Sequence, residues 1–215
     1  MTEALAVIIG YLLGTIPTAY IVTRLWIKRD IRTLGGGNVG FMNVFREVGT
    51  LPGLVVLFFD IAKGAAAIAI ARWGLNAPDA FVLFAGLAAI IGHNWMPWLK
   101  FSGGKGMASA IGIITTLFLA YGYPLPLGIF FAIVLIPLFI TRNVALSMGL
   151  GLISLPFIVW FGVHSAFAAI MAAVLFIISF IKFLPTALLS IKNARRKRDL
   201  IFDSFKGKDK KEKPE

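Results

Sequence analysis

The stretch MASAIGIITTLFLAYGYPLPLGIFFAIVLIPLFIT, residues 107–141, contains no Asp, Glu, Lys or Arg. The next long stretch, residues 144–181, is free of all four as well. One membrane-crossing helix needs about 20 apolar residues, so each run is too long for a single crossing. Each run is also interrupted where a turn is expected, by Tyr121-Gly122-Tyr123-Pro124-Leu125-Pro126 in the first and Gly162-Val163-His164-Ser165 in the second. Two apolar helices per run, joined by a short turn within a bilayer, satisfy both facts.

The same reading extends over the rest of the chain. Seven apolar segments can be marked, at about 4–26, 51–71, 80–98, 107–121, 125–141, 144–163 and 165–189. The fourth and fifth are short enough to tilt little or to re-enter. Only 14% of the 215 residues are charged and 59% are hydrophobic, whereas a soluble domain carries about 25% charge. The expected fold is therefore all-α, a polytopic integral membrane protein of about seven helices. It forms one transmembrane domain over residues 1–191, followed by a basic tail over 192–215. With no Cys in the chain, disulfides, thiol chemistry and Cys-based metal sites are excluded. Met1-Thr2-Glu3 lacks the positive start of a secretory signal, so the first segment reads as a retained span.

Charge sets the expected orientation. Lys28, Arg29, Arg32, Arg46, Lys100, Lys105, Arg142 and the tail fall in one set of connections, and Arg72 alone falls in the other. The positive-inside rule then places the N-terminus outside, the C-terminus inside and both glycine-rich connections in the cytoplasm. The net charge of +11 does not indicate nucleic acid, because ten of the 21 Lys and Arg residues follow Ser190. Such a tail suits anionic membrane lipid, and its Lys-rich composition cannot bury a core, so it is expected to be disordered. No internal repeat of the kind found in duplicated transporters is visible.

Two connections have the composition of anion sites. The first runs Gly35-Gly36-Gly37-Asn38-Val39-Gly40-Phe41-Met42-Asn43-Val44-Phe45-Arg46. Its glycines allow positive φ and can turn successive N–H groups toward one concave surface, while Arg46 can clasp a phosphate with two donors. The candidates for phosphate contact here are Gly36, Gly37, Asn38, Gly40 and Asn43, with Arg46 as a catalytic cation. The second connection, Gly103-Gly104-Lys105-Gly106, is not a Walker loop, since Leu99 and Gly106 stand where a glycine and a Ser or Thr are required. It remains a lysine point charge on bare backbone. Lys105 is the second catalytic candidate, and Gly103, Gly104 and Gly106 are further phosphate contacts.

Within the spans, Asp60 and Lys63 are spaced i, i+3 and can pair on one helical face, whether as a structural pair or as the lining of a site. His93, in Gly92-His93-Asn94-Trp95, reads either as a hydrogen-bonded packing residue or as a phosphate contact, and it is counted among the candidates. Neither histidine is followed five residues on by Asp, because Trp98 and Ala169 occupy those positions. The His-x4-Asp dyad of the common glycerolipid acyltransferases is therefore absent. No nucleophilic triad or two-His metal site is visible, so no metal or cofactor is expected.

Taken together, these blocks resemble the acyl-phosphate-dependent glycerol-3-phosphate acyltransferases of bacterial membranes. The resemblance runs from Tyr11-Leu12-Leu13-Gly14-Thr15-Ile16-Pro17 through the 35–46 loop and Asp60-Ile61-Ala62-Lys63-Gly64. It continues through Gly86-Leu87-Ala88, Gly92-His93 and residues 100–108. It implies seven spans and a cytoplasmic site in the bacterial inner membrane. The implied reaction moves a fatty acyl group from acyl phosphate to the sn-1 hydroxyl of glycerol-3-phosphate, giving lysophosphatidate and phosphate for phospholipid synthesis. The donor is already activated, and the resemblance implies that substrate phosphate assists proton transfer in place of a His-Asp base. Arg142, at the start of the third family block, joins the phosphate contacts on this ground.

The chain departs from the family pattern at several hydroxyls. Gly36 stands where the family has Ser, Phe41-Met42 replaces Ala-Thr, and Ala145 replaces a Ser of the third block. The His and Asn of the family's last span have no counterpart in residues 183–189. Two functions follow from this pattern. One is an acyltransferase; the other is a weak or silent paralogue that binds phospholipid precursors or regulates an active homologue.

Overall fold

The computed structural model describes residues 1–193 and 198–201. Among them, five helical stretches are long and apolar enough to cross a membrane: Thr2–Ile27, Thr50–Gly74, Pro124–Thr141, Val144–Val163 and Ala166–Leu189. Two shorter apolar helices lie between the second and third of these, Asp79–Asn94 and Met107–Ala120. The short segments are thus the third and fourth. The fifth, expected to be short, gains length because Pro124 opens it, its fixed φ and missing N–H suiting a first helical position.

The first stretch is broken where one continuous helix was expected. Helix α1 covers Thr2–Gly14 and α2 covers Thr18–Ile27, with Pro17 between them. Pro17 has no N–H to donate to the Leu13 carbonyl, so the helix is interrupted there, and the Ile16 carbonyl accepts from the Thr18 N–H at 3.0 Å and from a side chain described below. After α2, a 3-10 turn (Ile31–Thr33) and the seven-residue helix α3 (Phe41–Glu47) form the first glycine-rich connection. Helix α4 (Thr50–Ala69) continues through a π-helical turn, Ile70–Gly74, toward α5 (Asp79–Asn94). A second connection, with a 3-10 turn at Pro97–Leu99, leads to α6 (Met107–Ala120). Three long helices follow: α7 (Pro124–Thr141), α8 (Val144–Val163) and α9 (Ala166–Asn193). A last turn, α10 (Arg198–Ile201), lies within the tail expected to be disordered, while Lys192 belongs to the end of α9. The remaining tail cations, from Arg195 to Lys197 and beyond residue 201, lie outside the described residues.

Small residues set the tightest packing. Gly10 and Gly14 of α1 lie against the backbone of Ala85 and Ala89 on α5, and Gly64 of α4 lies against Ser109 of α6. A side chain at any of these glycines would strike a backbone carbonyl. Helices in lipid gain little from hydrophobic exclusion, so close backbone approach through small residues does more of the work of association. The outward faces carry large exposed apolar side chains such as Phe139, Leu125 and Phe161, as a surface turned to lipid requires.

This packing sorts the connections into two ends. Arg72, Asp79 and Tyr121 meet at one end, where the Tyr121 hydroxyl donates to Asp79 at 2.7 Å. The two glycine-rich connections meet at the other. At about 24 and 21 Å, α5 and α6 are short of a hydrocarbon core of about 30 Å. The second connection folds back over the end of α5 rather than reaching away from it.

Candidate phosphate-binding site

The first connection is held from within. Asp30 caps the 3-10 turn, accepting from the Arg32 backbone N–H at 2.9 Å, and pairs with the Arg32 guanidinium at 2.7 Å. That guanidinium holds the Asp30 carboxyl below its ordinary range. Arg32 also donates to the Leu99 carbonyl at 3.2 Å, which ties the first connection to the second. Gly35 and Gly37 both adopt positive φ, +53° and +69°. Asn43 is buried, and its amide nitrogen donates to the carbonyls of Asn38, Leu34 and Ile31 at 3.0–3.3 Å. Its donors are therefore spent on the loop backbone. Asn43 thus ties the loop together from within through its amide nitrogen.

Gly36 is exposed, and a Cβ built there would meet nothing within 4 Å. Gly40 is buried beside the Asn38 side chain and precedes α3, whose last turn carries an exposed Arg46. Buried Val39 and Val44 anchor this connection against α2 and α4.

The second connection rests on the end of α5. Met96 and Ser102 form an antiparallel bridge, and the Gly104 N–H donates to the His93 carbonyl at 3.0 Å. Gly103 packs on the carbonyls of His93 and Asn94, and Gly104 lies over the His93 imidazole. Gly106 turns the chain into α6 with φ +75°, beside the Asn94 side chain. The Asn94 amide is fully buried, and neither of its polar atoms has a partner.

Lys105, at the apex, is pushed down to about 8, first by burial and then by the Arg46 guanidinium. Two cations separated in sequence by α4 and α5 therefore feel each other's charge, and the Arg32–Leu99 hydrogen bond ties the connections that carry them. The Lys105 ammonium also lies 5.0 Å from the centre of the Phe183 ring on α9. An approach of that kind is a cation–π contact. Cations on neighbouring glycine-rich connections are an arrangement that a phosphate can bridge.

Beneath the two connections lies a buried polar cluster. Asp60 pairs with Lys63 at 2.8 Å and accepts from the Thr18 hydroxyl at 2.6 Å. Lys63 donates at 3.1 Å to the Ile16 carbonyl beside the Pro17 break. His93 Nδ1 lies 3.7 Å from Asp60 and 3.5 Å from the Ser109 hydroxyl. The Asp60–Lys63 pair is thus enclosed by protein contacts. His93, only 3% exposed and roofed by Gly104, supports the second connection from below. Arg142 is exposed at the end of α7 with φ +56°. The structure ties together the two connections that carry Arg46 and Lys105, while Arg142 follows α7. The contributions of Phe183 and Asn94 were not read from sequence. Adjacency to His93, just before a Gly-Lys loop, was the signal available for Asn94.

The sequence pattern of the glycerol-3-phosphate acyltransferase family matches residues 4–187, most of the chain. The chain belongs to the glycerol-3-phosphate acyltransferase family. It is 47% identical over 206 residues to glycerol-3-phosphate acyltransferase 1 of Dehalococcoides mccartyi, covering 96% of this chain and 99% of that one. It is 41% identical over 189 residues to glycerol-3-phosphate acyltransferase 2 of another strain of that species, covering 88% and 87%. Among solved structures it resembles PlsY (YgiH), an integral membrane glycerol 3-phosphate acyltransferase, in its glycerol 3-phosphate form. That match has a TM-score of 0.79 at 27% identity, covering 91% of this chain and 96% of that one. The lysophosphatidic acid form of PlsY matches with a TM-score of 0.76 at 26% identity, covering 94% and 100%. The protein is thus an acyltransferase of phospholipid biosynthesis with the PlsY integral membrane fold.

Proposed function

We propose that this acyltransferase moves a fatty acyl group from acyl phosphate to the sn-1 hydroxyl of glycerol-3-phosphate. The observation that supports the reading is that two glycine-rich connections, one with Arg46 and one with Lys105, are tied together by Arg32 and the Leu99 carbonyl, and Lys105 feels the charge of Arg46. Both substrates bear a phosphate, and so does the product side as acyl phosphate is consumed. In the reaction, the acceptor hydroxyl attacks the acyl carbonyl and the bond from carbonyl carbon to phosphate oxygen breaks. The hydroxyl proton ends on the phosphate set free. Lys105 and Arg46 hold the reactants together and stabilise the charge that builds on carbonyl and departing phosphate. A mixed anhydride needs no strong protein nucleophile, in keeping with a His93 closed off beneath Gly104.

The shorter helices α5 and α6 complete seven crossings in this reading. The N-terminus lies outside and the C-terminus inside, with the site on the cytoplasmic face of a bacterial inner membrane. Single cysteines at Gly37 and Ser102 should label only from the cytoplasmic side; labelling of either from outside in intact cells would overturn the orientation. The reaction itself is tested with purified protein, acyl phosphate and glycerol-3-phosphate, following phosphate release and lysophosphatidate.

One observation favours a second reading, a weak or silent paralogue: the family hydroxyls are missing at Gly36, Met42 and Ala145. Absence of product from both the natural sequence and a hydroxyl-restored variant would select it.

A further inference from the structure

Helix α9 meets the second glycine-rich connection at two consecutive residues. The Lys105 ammonium lies over the Phe183 ring, 5.0 Å from its centre. One residue earlier on α9, the Lys182 ammonium lies over the ring of Trp95, 5.3 Å from its centre. Both distances fall within the roughly 6 Å over which an aromatic face attracts a cation. Trp95 follows α5, on which α9 packs, and Lys105 stands just before α6. The connection thus offers α9 a ring at one end and a cation at the other, and α9 answers with a cation and a ring.

The Phe183 contact differs in kind from the way Lys63 is held. Lys63 is paired with Asp60 at 2.8 Å, so its charge is answered inside the protein. Phe183 is uncharged and leaves the Lys105 ammonium its full positive charge for an incoming anion. A lysine side chain loses much of its rotamer freedom when it is fixed in a site. A ring that already holds the ammonium in the unliganded protein lowers that cost at the moment phosphate binds. Phe183 falls among residues 183–189, where the family's last-span His and Asn have no counterpart, so this seat belongs to the chain's own sequence.

We infer that Phe183 is a positioning residue for acyl transfer, its ring face holding the Lys105 ammonium ready for a substrate phosphate without neutralising it. The Lys182 contact on Trp95 keeps α9 against the connection, which places the ring beside the lysine. The inference rests on the phosphate-binding role proposed above for Lys105.

The test uses the full-length protein in lipid, with Phe183 exchanged for mono-, di- and trifluorinated phenylalanine. Fluorine withdraws electron density from the ring face and changes its size little. The value of kcat/KM for acyl transfer should fall stepwise along the series, by about 5- to 30-fold in all. Phe183→Leu should lose at least as much, and Phe183→Tyr, which keeps the face, should stay within a few-fold. A flat fluorine series would overturn the inference, whether or not Phe183→Leu is impaired, because packing alone explains a loss that ignores the electrons of the ring.

A second readout does not need turnover. Acetylation of Lys105 by an amine-reactive ester, followed by peptide mass spectrometry against the exposed Lys192, should quicken along the same series as the ammonium leaves the ring. An unchanged ratio of the two rates would overturn the inference. Quickened labelling with no acyl transfer in any variant or in the natural protein would instead remove the proposed reaction and leave the seat of Lys105 standing.

Discussion

The Cα of Gly104 lies on the imidazole of His93, so close that a methyl group at position 104 would overlap ring nitrogen Nε2. The loop that carries Lys105 is therefore seated on a buried side chain and not on solvent. Gly36, in the other loop, has open space around it.

That contrast gives a prediction. Gly104→Ala must displace either the loop or the His93 ring, and a displacement of about 1 Å can cost around 100-fold in rate. Gly36→Ala should leave activity within a few-fold. Kinetics of the two alanine variants, with glycerol-3-phosphate and acyl phosphate varied in turn, decide the matter. Equal effects would show that the His93 seat does not position Lys105.

Arg46→Ala and Lys105→Ala should each lower turnover by roughly 10²–10³, the usual effect of removing one preorganised electrostatic contact. Lys192→Ala, at the end of α9, should change it little. Phosphate release is the assay. Comparable losses from Lys192 and the two loop cations would indicate general surface electrostatics instead of a site.

The position of Lys105 predicts an alkaline limb. Burial and Arg46 push its ammonium down to about 8, so in the free enzyme its charge is present below that pH and lost above it. Because this folded value lies below the ordinary lysine range, the strain of the buried charge is greatest below pH 8. That strain is relieved as pH rises through the folded value, so stability should not fall there on account of Lys105. Activity should behave oppositely, with kcat/KM for glycerol-3-phosphate falling above about pH 8. Lys105→Arg, which keeps its charge, should move that limb upward even if kcat drops. A limb unchanged by Lys105→Arg would assign it to another group.

Much of this was legible in the chain because membrane helices end on few kinds of residue. Gly122, Arg142 with Asn143, and His164 with Ser165 stand between observed helices, Pro124 opens α7 and Gly162 lies in the last turn of α8. The Pro17 break was missed because the apolar run from 4 to 26 continues through it, and hydropathy does not register a missing N–H. Glycines clustered beside Arg46 and Lys105 pointed to the meeting of the two connections. The role of Asn43 could not be read, since a sequence shows a donor without showing the carbonyls it faces. Phe183 likewise gains meaning only when α9 is laid beside Lys105.

The buried cluster predicts strong asymmetry between single and double changes. Asp60→Asn leaves Lys63 charged and poorly paired, and breaking a buried pair from one side costs about 3–5 kcal/mol. Asp60→Leu combined with Lys63→Met should restore much of the lost thermal stability in detergent, because two desolvated charges disappear together. If the double variant is as unstable as the sum of the singles, the pair contributes more than charge compensation, and the Thr18 and Ile16 contacts become the place to look.

The last prediction concerns the missing hydroxyls. A hydroxyl that bonds a charged phosphate contributes about 1.5–3 kcal/mol, or roughly 10- to 150-fold. Gly36 can accept a serine without collision, because nothing lies within 4 Å of its Cβ position. Met42 is half-buried near the start of α3, two residues after Gly40. The natural sequence should therefore show weak but measurable acyl transfer to glycerol-3-phosphate, and Gly36→Ser with Met42→Thr should raise it. The improvement should appear mainly in Gly36→Ser, since that position is the exposed one. Full activity in the natural protein, lost in the double variant, would mean that the Gly35–Gly37 backbone already supplies the donors the hydroxyl would have provided and that an added side chain blocks the approach of phosphate.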